Sequence, residues 1–196
     1  MEQIQDGTGK GYLAKVDNEN RLFTQSVTTS SQEHASELGL AYNINTGIIT
    51  LTNATKTPVL YLKNNEDYEL VIDTVLYMTG ASTGGSGNIL VEIVRNPTAG
   101  TIISGASAVE MNANRNFGSS KSLSVNAYKG ATGSTLTDGT KFIESILATA
   151  TQRVAVSVGA IIIPKGSSMA IQITPPTGNT SMATEWAISC YLTEGL

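Results

Sequence analysis

The segment GASTG at residues 80–84 matches the Gly-x-Ser-x-Gly pattern that presents a nucleophilic serine in α/β-hydrolases. Such a serine requires a histidine that takes its proton. The only histidine is His34, which precedes the serine, whereas this hydrolase class places its histidine downstream. A strand-like run also follows Ser82 where the hydrolase pattern needs a helix. We therefore interpret residues 80–87 as a flexible Gly/Ser loop.

Two N-terminal segments resemble ligand-binding loops without meeting their requirements. GTGKG at 7–11 offers glycine N–H groups and Lys10, but a P-loop has four residues between its glycines and a Ser or Thr after the lysine. Asp17–Asn20 collects oxygen ligands but lacks the central glycine and the distal glutamate of a calcium loop. We interpret the first segment as extended and the second as a polar β-turn, and we expect no metal and no cofactor.

Paired carboxylates that cleave sugars can meet in space without leaving a sequence pattern. The candidates are Glu66, Asp67, Glu69, Asp73, Glu92, Asp138, Glu144 and Glu185. A sugar-cleaving site generally also needs aromatic platforms, and the chain has one Trp, three Phe and seven Tyr. We interpret most of these carboxylates as solvated turn residues, so a glycan hydrolase is our third hypothesis of function.

The composition favours a β protein with little charge. Charged residues make up 14% of the chain, against about 25% in average proteins. The polar surface comes from 25 Thr, 19 Ser, 14 Asn and 19 Gly, which favour strands and tight turns. The net charge of −4 leaves no basic stripe for phosphates, so we expect no direct nucleic-acid partner.

The chain also lacks the signals of disulfide-linked or membrane proteins. Cys190 is the only cysteine and lies in an alternating apolar run, which predicts a small buried residue, with a reactive thiol as the alternative. No apolar run approaches the roughly 18 residues of a membrane span, and MEQIQDGTGKG does not resemble a signal peptide. We expect synthesis in the cytoplasm and no membrane partner.

From Ala41 onward, short β patterns alternate with turn clusters. AYNIN and IITLT flank Thr46-Gly47 and predict a hairpin, while SMAIQIT and EWAISCYLT alternate clearly. PVLYLK, ELVIDTVLYMT and NILVEIVR complete the apolar runs, and FIESILA suits either a helix or a bulged strand. Long polar loops are predicted at 80–87, 112–121 and 129–141.

These patterns predict an all-β fold. We expect a single β-sandwich of jelly-roll type, with about eight strands, over residues 41–196. An N-terminal arm at 1–40 precedes it. The arm has at most one short helix, over residues 31–38, because Ser30 and Glu33 have capping-box spacing and Gly39 follows as a stop signal.

Five segments, taken in order, resemble small virion proteins of tailed bacteriophages, some of which are similar to head-decoration or cement proteins. They are GKGYLAKVDNENRLFTQSVT, LAYNINTGIITLT, LYLKNNED, VEIVRNPTAGT and IIIPKGSSMAIQITPPTGNTS. The resemblance spans most of the chain and implies a jelly-roll-like fold, assembly as a homotrimer and a location in the virion. It rests on turns and strands, so it carries over no individual binding residue.

The leading hypothesis is a non-enzymatic capsid decoration protein that bridges major capsid subunits or other virion proteins and stabilises the head. The arm suits attachment, because a segment that orders on docking covers much surface for its length. Its candidate attachment residues are Tyr12, Leu13, Arg21, Leu22 and Phe23. Alternatively, these residues form the first strands of the sandwich.

The second hypothesis is a fibre or host-recognition module that binds a carbohydrate or a receptor. Receptor-binding loops are rich in aromatic residues, whereas the predicted loops here are mainly Gly, Ser, Thr and Asn, which favours the decoration role. For the homotrimer, we expect contacts made by the apolar residues on both faces of PVLYLK and ELVIDTVLYMT.

Overall fold

The computed structural model describes residues 30–104, 107–151 and 154–194. Ser31–Leu196 form one compact unit. The described residues include two short helices, α1 (Ser31–Glu37) and α2 (Thr101–Ser104). The strands are β1 (Ala41–Leu51), β2 (Thr57–Asn64), β3 (Leu70–Thr79), β4 (Asn88–Arg95), β5 (Ser107–Ala108), β6 (Met111–Asn114), β7 (Val125–Lys129), β8 (Thr140–Ala148), β9 (Val154–Ile163), β10 (Ser168–Thr174) and β11 (Met182–Leu192).

The strands form two antiparallel sheets, so the all-β prediction is confirmed. The first sheet has the order β6-β1-β11-β3-β9, and the second has the order β5-β7-β2-β10-β4-β8. The described residues thus contain eleven strands rather than about eight. The additional strands β5, β6 and β7 are short and lie between 107 and 129. They join the sheets through backbone hydrogen bonds and carry no long alternating apolar pattern that a sequence could reveal.

Side chains of both sheets form one hydrophobic cluster. It includes Ile44 and Ile188 of the first sheet and Leu62 and Ile171 of the second, all fully buried. The predicted alternation of β11 is confirmed, because Trp186, Ile188, Cys190 and Leu192 all belong to this cluster. Burial of such apolar side chains is the main favourable contribution to folding.

The predicted hairpin around Thr46-Gly47 is wrong. Residues 41–51 form one strand, β1, that pairs with β11 on both sides of a bulge between Asn45 and Ile48. Thr46 is fully buried, and its Oγ1 accepts a hydrogen bond from the Trp186 N–H at 3.1 Å. Gly47 has a φ of 65°, which suits the left-handed residue of a bulge. The Thr-Gly pair therefore forms a bulge within one strand and does not reverse the direction of the chain.

The ambiguous segment FIESILA lies in β8. Its pairing with β4 is irregular between Ile93 and Val94, so the strand has a bulge next to Phe142. The bulge shifts the alternation by one residue, which produced the helix-like spacing of apolar residues in the sequence.

The strands define two ends of the unit. At the near end lie helix α1 and the end of β11, where the Leu192 N–H donates to Leu40 O at 2.9 Å. Helix α1 contacts β1 and β11, and its Ala35 is fully buried. At the far end, β1 ends at Leu51 and pairs there with Met182, the first residue of β11.

We expect Trp186→Ala to destabilise the protein by about 3–5 kcal/mol, the usual cost of truncating a large buried aromatic residue. Trp186 is 2% exposed, stacks on Tyr77 with ring centroids 5.3 Å apart, and donates its Nε1–H to Thr184 Oγ1 at 2.8 Å. Urea unfolding followed by circular dichroism measures the change. Trp186→Phe, which preserves an aromatic ring, should lose less. A melting shift of only a degree or two for Trp186→Ala would contradict this account of the core.

Candidate interaction surface

One side of the unit is open between the two sheets. β9 is an edge strand of the first sheet and β8 is an edge strand of the second, and they follow each other in the chain. Both are long, with ten and nine residues. Phe142 of β8 is 56% exposed, and Val156 and Ile162 of β9 are 40% and 52% exposed. We call this side, lined by Phe142, Val156 and Ile162, the β8–β9 opening.

Two apolar cavities lie in the β8–β9 opening. The larger, about 520 Å³, is lined by Phe142, Ile161 and Ile162 among others, and Arg95 lies at its wall. The smaller, about 270 Å³, is lined by Val156, and its inner wall includes Tyr77 and Trp186. Ile93 and Val158 line both cavities. The opening therefore leads from solvent to the aromatic pair of the core, and its chemistry suits an apolar group.

The sequence did not single out the β8–β9 opening. Its apolar residues lie in FIESILA, which had an ambiguous pattern, and in β9, which was not among the patterns that predicted strands. One signal was present, since Phe142 and Ile146 are large apolar residues on a strand that also carries Lys141 and Glu144. Strand β8 is mostly exposed, and a mixture of apolar and charged residues is typical of such an exposed strand.

The outer face of the second sheet is covered by the chain itself around β2, β7 and β10. Tyr61 of β2 stacks on Tyr128 of β7, with ring centroids 6.0 Å apart, and Ile102 of α2 and Ala170 of β10 are fully buried beside them. Leu136 packs on the same group. The expectation that β2 supplies apolar residues to a subunit contact is therefore wrong, because its outer face already has a partner within the chain.

Asp138 joins this covering loop to the segment before α2. Its carboxylate accepts hydrogen bonds from the N–H groups of Thr98 and Ala99, at 2.8 and 2.9 Å, and from the Thr98 hydroxyl. These donors favour the charged form, so they hold the pKa of Asp138 below its ordinary value, with the Thr98 hydroxyl as the largest cause.

A group of charged residues lies on the outer face of the second sheet. Glu92 of β4 is buried and forms ion pairs with Lys56 and, at 3.6 Å, with Lys141. Glu144 lies opposite Glu92 on β8 and also pairs with Lys141. These are the two candidate carboxylates that the fold brings side by side. Both have lysine partners, and neither lines the cavities of the β8–β9 opening.

Glu66, Asp67 and Glu69 lie in the short segment between β2 and β3, and the other candidate carboxylates are distributed over separate places. Asp67 pairs with Lys165, and this interaction lowers the pKa of Asp67. Asp73 accepts a hydrogen bond from Gln32, and Glu185 accepts one from Asn45 at 2.7 Å. Among the described residues, no group of three or more His, Cys, Asp or Glu side chains has an arrangement that could hold a metal ion.

At the far end, Asn179 joins three loops. Its Nδ2 donates to the carbonyl oxygens of Leu51 and Asn53, at 3.0 and 2.9 Å, and its Oδ1 accepts the Ser82 hydroxyl proton at 2.7 Å. Asn179 is 4% exposed. Ser82, the serine of the hydrolase-like motif, is thus hydrogen bonded to an amide, and His34 lies in α1 at the other end of the strands.

Several residues that the sequence singled out lie outside the described residues. They are the glycine-rich segment 7–11, the turn Asp17–Asn20 and the candidate attachment residues Tyr12, Leu13, Arg21, Leu22 and Phe23.

Cys190 is fully buried, as predicted, and burial raises its pKa to about 12. A thiol with this pKa stays protonated at neutral pH, so it is a poor nucleophile.

The chain matches no protein-family model, and no curated protein is significantly similar to it. Neither described helix has the length and hydropathy that a membrane span requires.

We expect Asn179→Ala to destabilise the protein by about 1–3 kcal/mol, because it leaves polar groups of Leu51, Asn53 and Ser82 without their partner. Ser82→Ala removes only one of these hydrogen bonds and should cost about 1 kcal/mol or less. Chemical unfolding of both variants measures the difference. Equal losses in the two variants would show that Asn179 does not join the loops.

We expect Asp138 to make the stability of the protein depend on acid pH. Because its pKa in the folded state is lowered, its contribution is complete above the ordinary value of 3.8 and is lost as the pH falls through the folded-state pKa. Asp138→Asn should therefore be less stable than the wild type at neutral pH, with a difference that shrinks below about pH 4. Thermal melting at several pH values tests this, and a difference that is constant with pH would contradict it.

Proposed function

We propose that this chain is a non-enzymatic structural protein of a tailed-bacteriophage particle, a capsid decoration or cement protein that binds major capsid subunits and stabilises the head. In this proposal it acts as a homotrimer and works through contacts with its neighbours. Three features support the proposal, namely the order of its strands, its open apolar side and the segments that resemble small virion proteins.

The strand order is the observation that carries the proposal. The eight long strands fall into the sets β1-β11-β3-β9 and β2-β10-β4-β8. Successive strands alternate between the sheets, except that β4 and β8 are neighbours in the same sheet. We infer that the fold is a β-sandwich of jelly-roll type, with β5, β6 and β7 as an insertion between its fourth and fifth strands. Viral capsid and lectin domains commonly use this architecture.

Four of the five segments that resemble virion proteins lie within the described residues, and they belong to this framework. LAYNINTGIITLT contains β1, and IIIPKGSSMAIQIT contains the end of β9 and the whole of β10. VEIVRNPTAGT contains most of β4 and the turn before α2. Within the described residues, the resemblance therefore falls on strands that support the fold and on their turns, as expected for a shared scaffold.

The described surface favours binding over chemistry. The cavities of the β8–β9 opening are apolar, the motif serine is bonded to Asn179, and Glu92 and Glu144 are paired with lysines. Apolar surface at an open sheet edge is typical of a contact with another protein. A low charge also suits close packing of many identical copies on one shell, because like charges repel less.

A host-recognition module is the second candidate, and the far end favours it. There Asn179 holds the loops around Asn53, Ser82 and Pro176 in one arrangement, since the Asn179 N–H also donates to Pro176 O at 3.0 Å. Fixed loops suit ligand binding. However, the far-end loops at 52–56, 80–87 and 175–181 contain no aromatic residue, and aromatic residues are the usual anchors of a receptor contact.

The proposed attachment can be tested on particles. Deletion of residues 1–23 should leave a folded protein with nearly the same melting temperature but abolish its binding to particles, because it removes all five candidate attachment residues. Particles that lack bound protein should then release their DNA at a lower temperature than decorated particles, since a ligand that bridges subunits stabilises the shell. The measurement is the midpoint of heat release for particles with full-length protein, truncated protein or none.

A matched control substitutes polar residues of the same segment, with Asn18→Ala and Asn20→Ala together. This variant should bind and protect particles like the wild type. Equal release midpoints for all particles, with the full-length protein demonstrably bound, would contradict the cement role and favour host recognition. Unfolding of the truncated protein would show instead that residues 1–23 belong to the sandwich.

A further inference from the structure

The large apolar side chains that are exposed among the described residues are not spread evenly. Leu38, Tyr68 and Phe117 lie at the near end, and Ile146 lies on the outer face of β8. The remaining ones form two groups on different sides of the unit. One is the β8–β9 opening, with Phe142, Val156 and Ile162, and the other consists of Ile48 and Met111.

Ile48 and Met111 lie together on the outer face of the first sheet. Ile48 pairs with Glu185, whose neighbour Trp186 points into the core, so Ile48 points outward and is 68% exposed. Met111 pairs with Asn45 and is 49% exposed. We call Ile48 and Met111 the β1–β6 patch. In the first sheet, β6 and β1 lie at one edge and β9 lies at the other, so the patch and the opening are on opposite sides.

One of the two surfaces projects and the other is concave. The β1–β6 patch projects two flexible or branched apolar side chains, and the β8–β9 opening offers apolar cavities of about 520 and 270 Å³. Methionine adapts well to irregular apolar cavities. The half-buried Val158 and Ile161 line the larger cavity and would contact whatever fills it.

The charges beside the two surfaces are complementary. Arg95 lines the larger cavity of the opening. Glu185 lies next to Ile48 on the patch side. Among the described charged residues beside the surfaces, Lys141 pairs with Glu144 and Glu110 pairs with Lys129. A contact between the patch and the opening therefore brings the Glu185 carboxylate towards the Arg95 guanidinium.

The exposed area is close to that of a specific contact. From their exposed fractions, the five side chains of the patch and the opening present roughly 500 Å² of apolar surface, and about 57% of a typical interface is apolar. They therefore account for an interface of about 900 Å², before the half-buried cavity walls are counted. A specific interface needs about 1,000 Å² or more.

We propose that the β1–β6 patch of one copy docks into the β8–β9 opening of a second copy, and that repetition of this head-to-tail contact closes the homotrimer. The inference rests on the proposed function, which requires self-assembly, and it adds the two surfaces that meet. The patch lies on the face of a sheet and the opening lies at the side between two sheets, so the contact rotates each copy relative to the last. Such a contact forms a closed ring when the rotation is suitable.

The test uses the isolated full-length protein in analytical ultracentrifugation. The wild type should sediment with three times the 20.5 kDa mass of one chain. Ile48→Lys, which breaks the patch, and Ile162→Lys, which breaks the opening, should each be monomeric. A mixture of the two variants should form a 1:1 dimer, because the Ile162→Lys chain retains its patch and the Ile48→Lys chain retains its opening. Only a head-to-tail contact predicts this rescue.

Two further variants provide the control and guard against misfolding. Phe117→Lys changes a side chain that is 100% exposed at the near end, and this variant should remain a trimer. Glu185→Arg and Arg95→Glu should each weaken assembly, whereas the double variant should restore it. Thermal melting of each variant shows whether a loss of assembly reflects unfolding. If a lysine variant is unfolded, the loss and restoration of assembly in the charge-reversal variants test the contact instead.

The inference is overturned if the wild type is a monomer, if Ile48→Lys still forms trimers, if the mixed variants stay monomeric, or if Phe117→Lys also abolishes assembly. Its failure is distinguishable from failure of the proposed function, because decoration is measured separately as binding to particles. A wild type that binds and protects particles as a monomer would refute the head-to-tail trimer and leave the cement role standing. A trimer that meets these expectations but binds no particle would support the head-to-tail contact and contradict the cement role.

Discussion

Each open β-sheet has two edge strands, and the outward N–H and C=O groups of an edge strand have no partner within the sheet. The two sheets have four such edges, β5, β6, β8 and β9. β5 and β6 have two and four residues, so they leave few groups unpaired. β8 and β9 have nine and ten. The open side, both cavities and the exposed apolar residues beside them all follow from this difference in length between the edge strands.

Much of the fold was predictable, because burial on one face imposes a period of two on a strand. The alternating faces of β10 and β11 are placed as the sequence predicted, and Cys190 and Trp186 are buried. The exceptions have local physical causes. Thr46-Gly47 has the composition of a turn, but a buried threonine that accepts the Trp186 N–H keeps the chain in one strand. Strands β5, β6 and β7 pair through their backbones, which leave no trace in the side-chain pattern.

The outer face of the second sheet shows a different limit of sequence reasoning. Apolar residues on both faces of β2 indicate that both faces are covered, but they do not identify which part of the protein, or which partner, covers each face. The chain covers the outer face of β2 with α2 and with the loop that Asp138 fixes, so β2 offers little apolar surface to another protein. The β8–β9 opening depends on contacts between strands that are far apart in sequence, such as Val75 of β3 and Val156 of β9. Periodicity within one segment carries no information about these contacts.

The junction at Asn179 also determines where the chain can change its length. Gly84 and Gly85 pack so closely on Gly178 and Asn179 that an added Cβ atom would lie within 3 Å of their backbone atoms. Gly87, two residues further along the same loop, has open space around it. We therefore expect an inserted peptide to be tolerated between Gly87 and Asn88 but not at Gly84–Gly85. The far end thus has a natural display position, at which foreign epitopes could be presented without disturbing the sheets beneath.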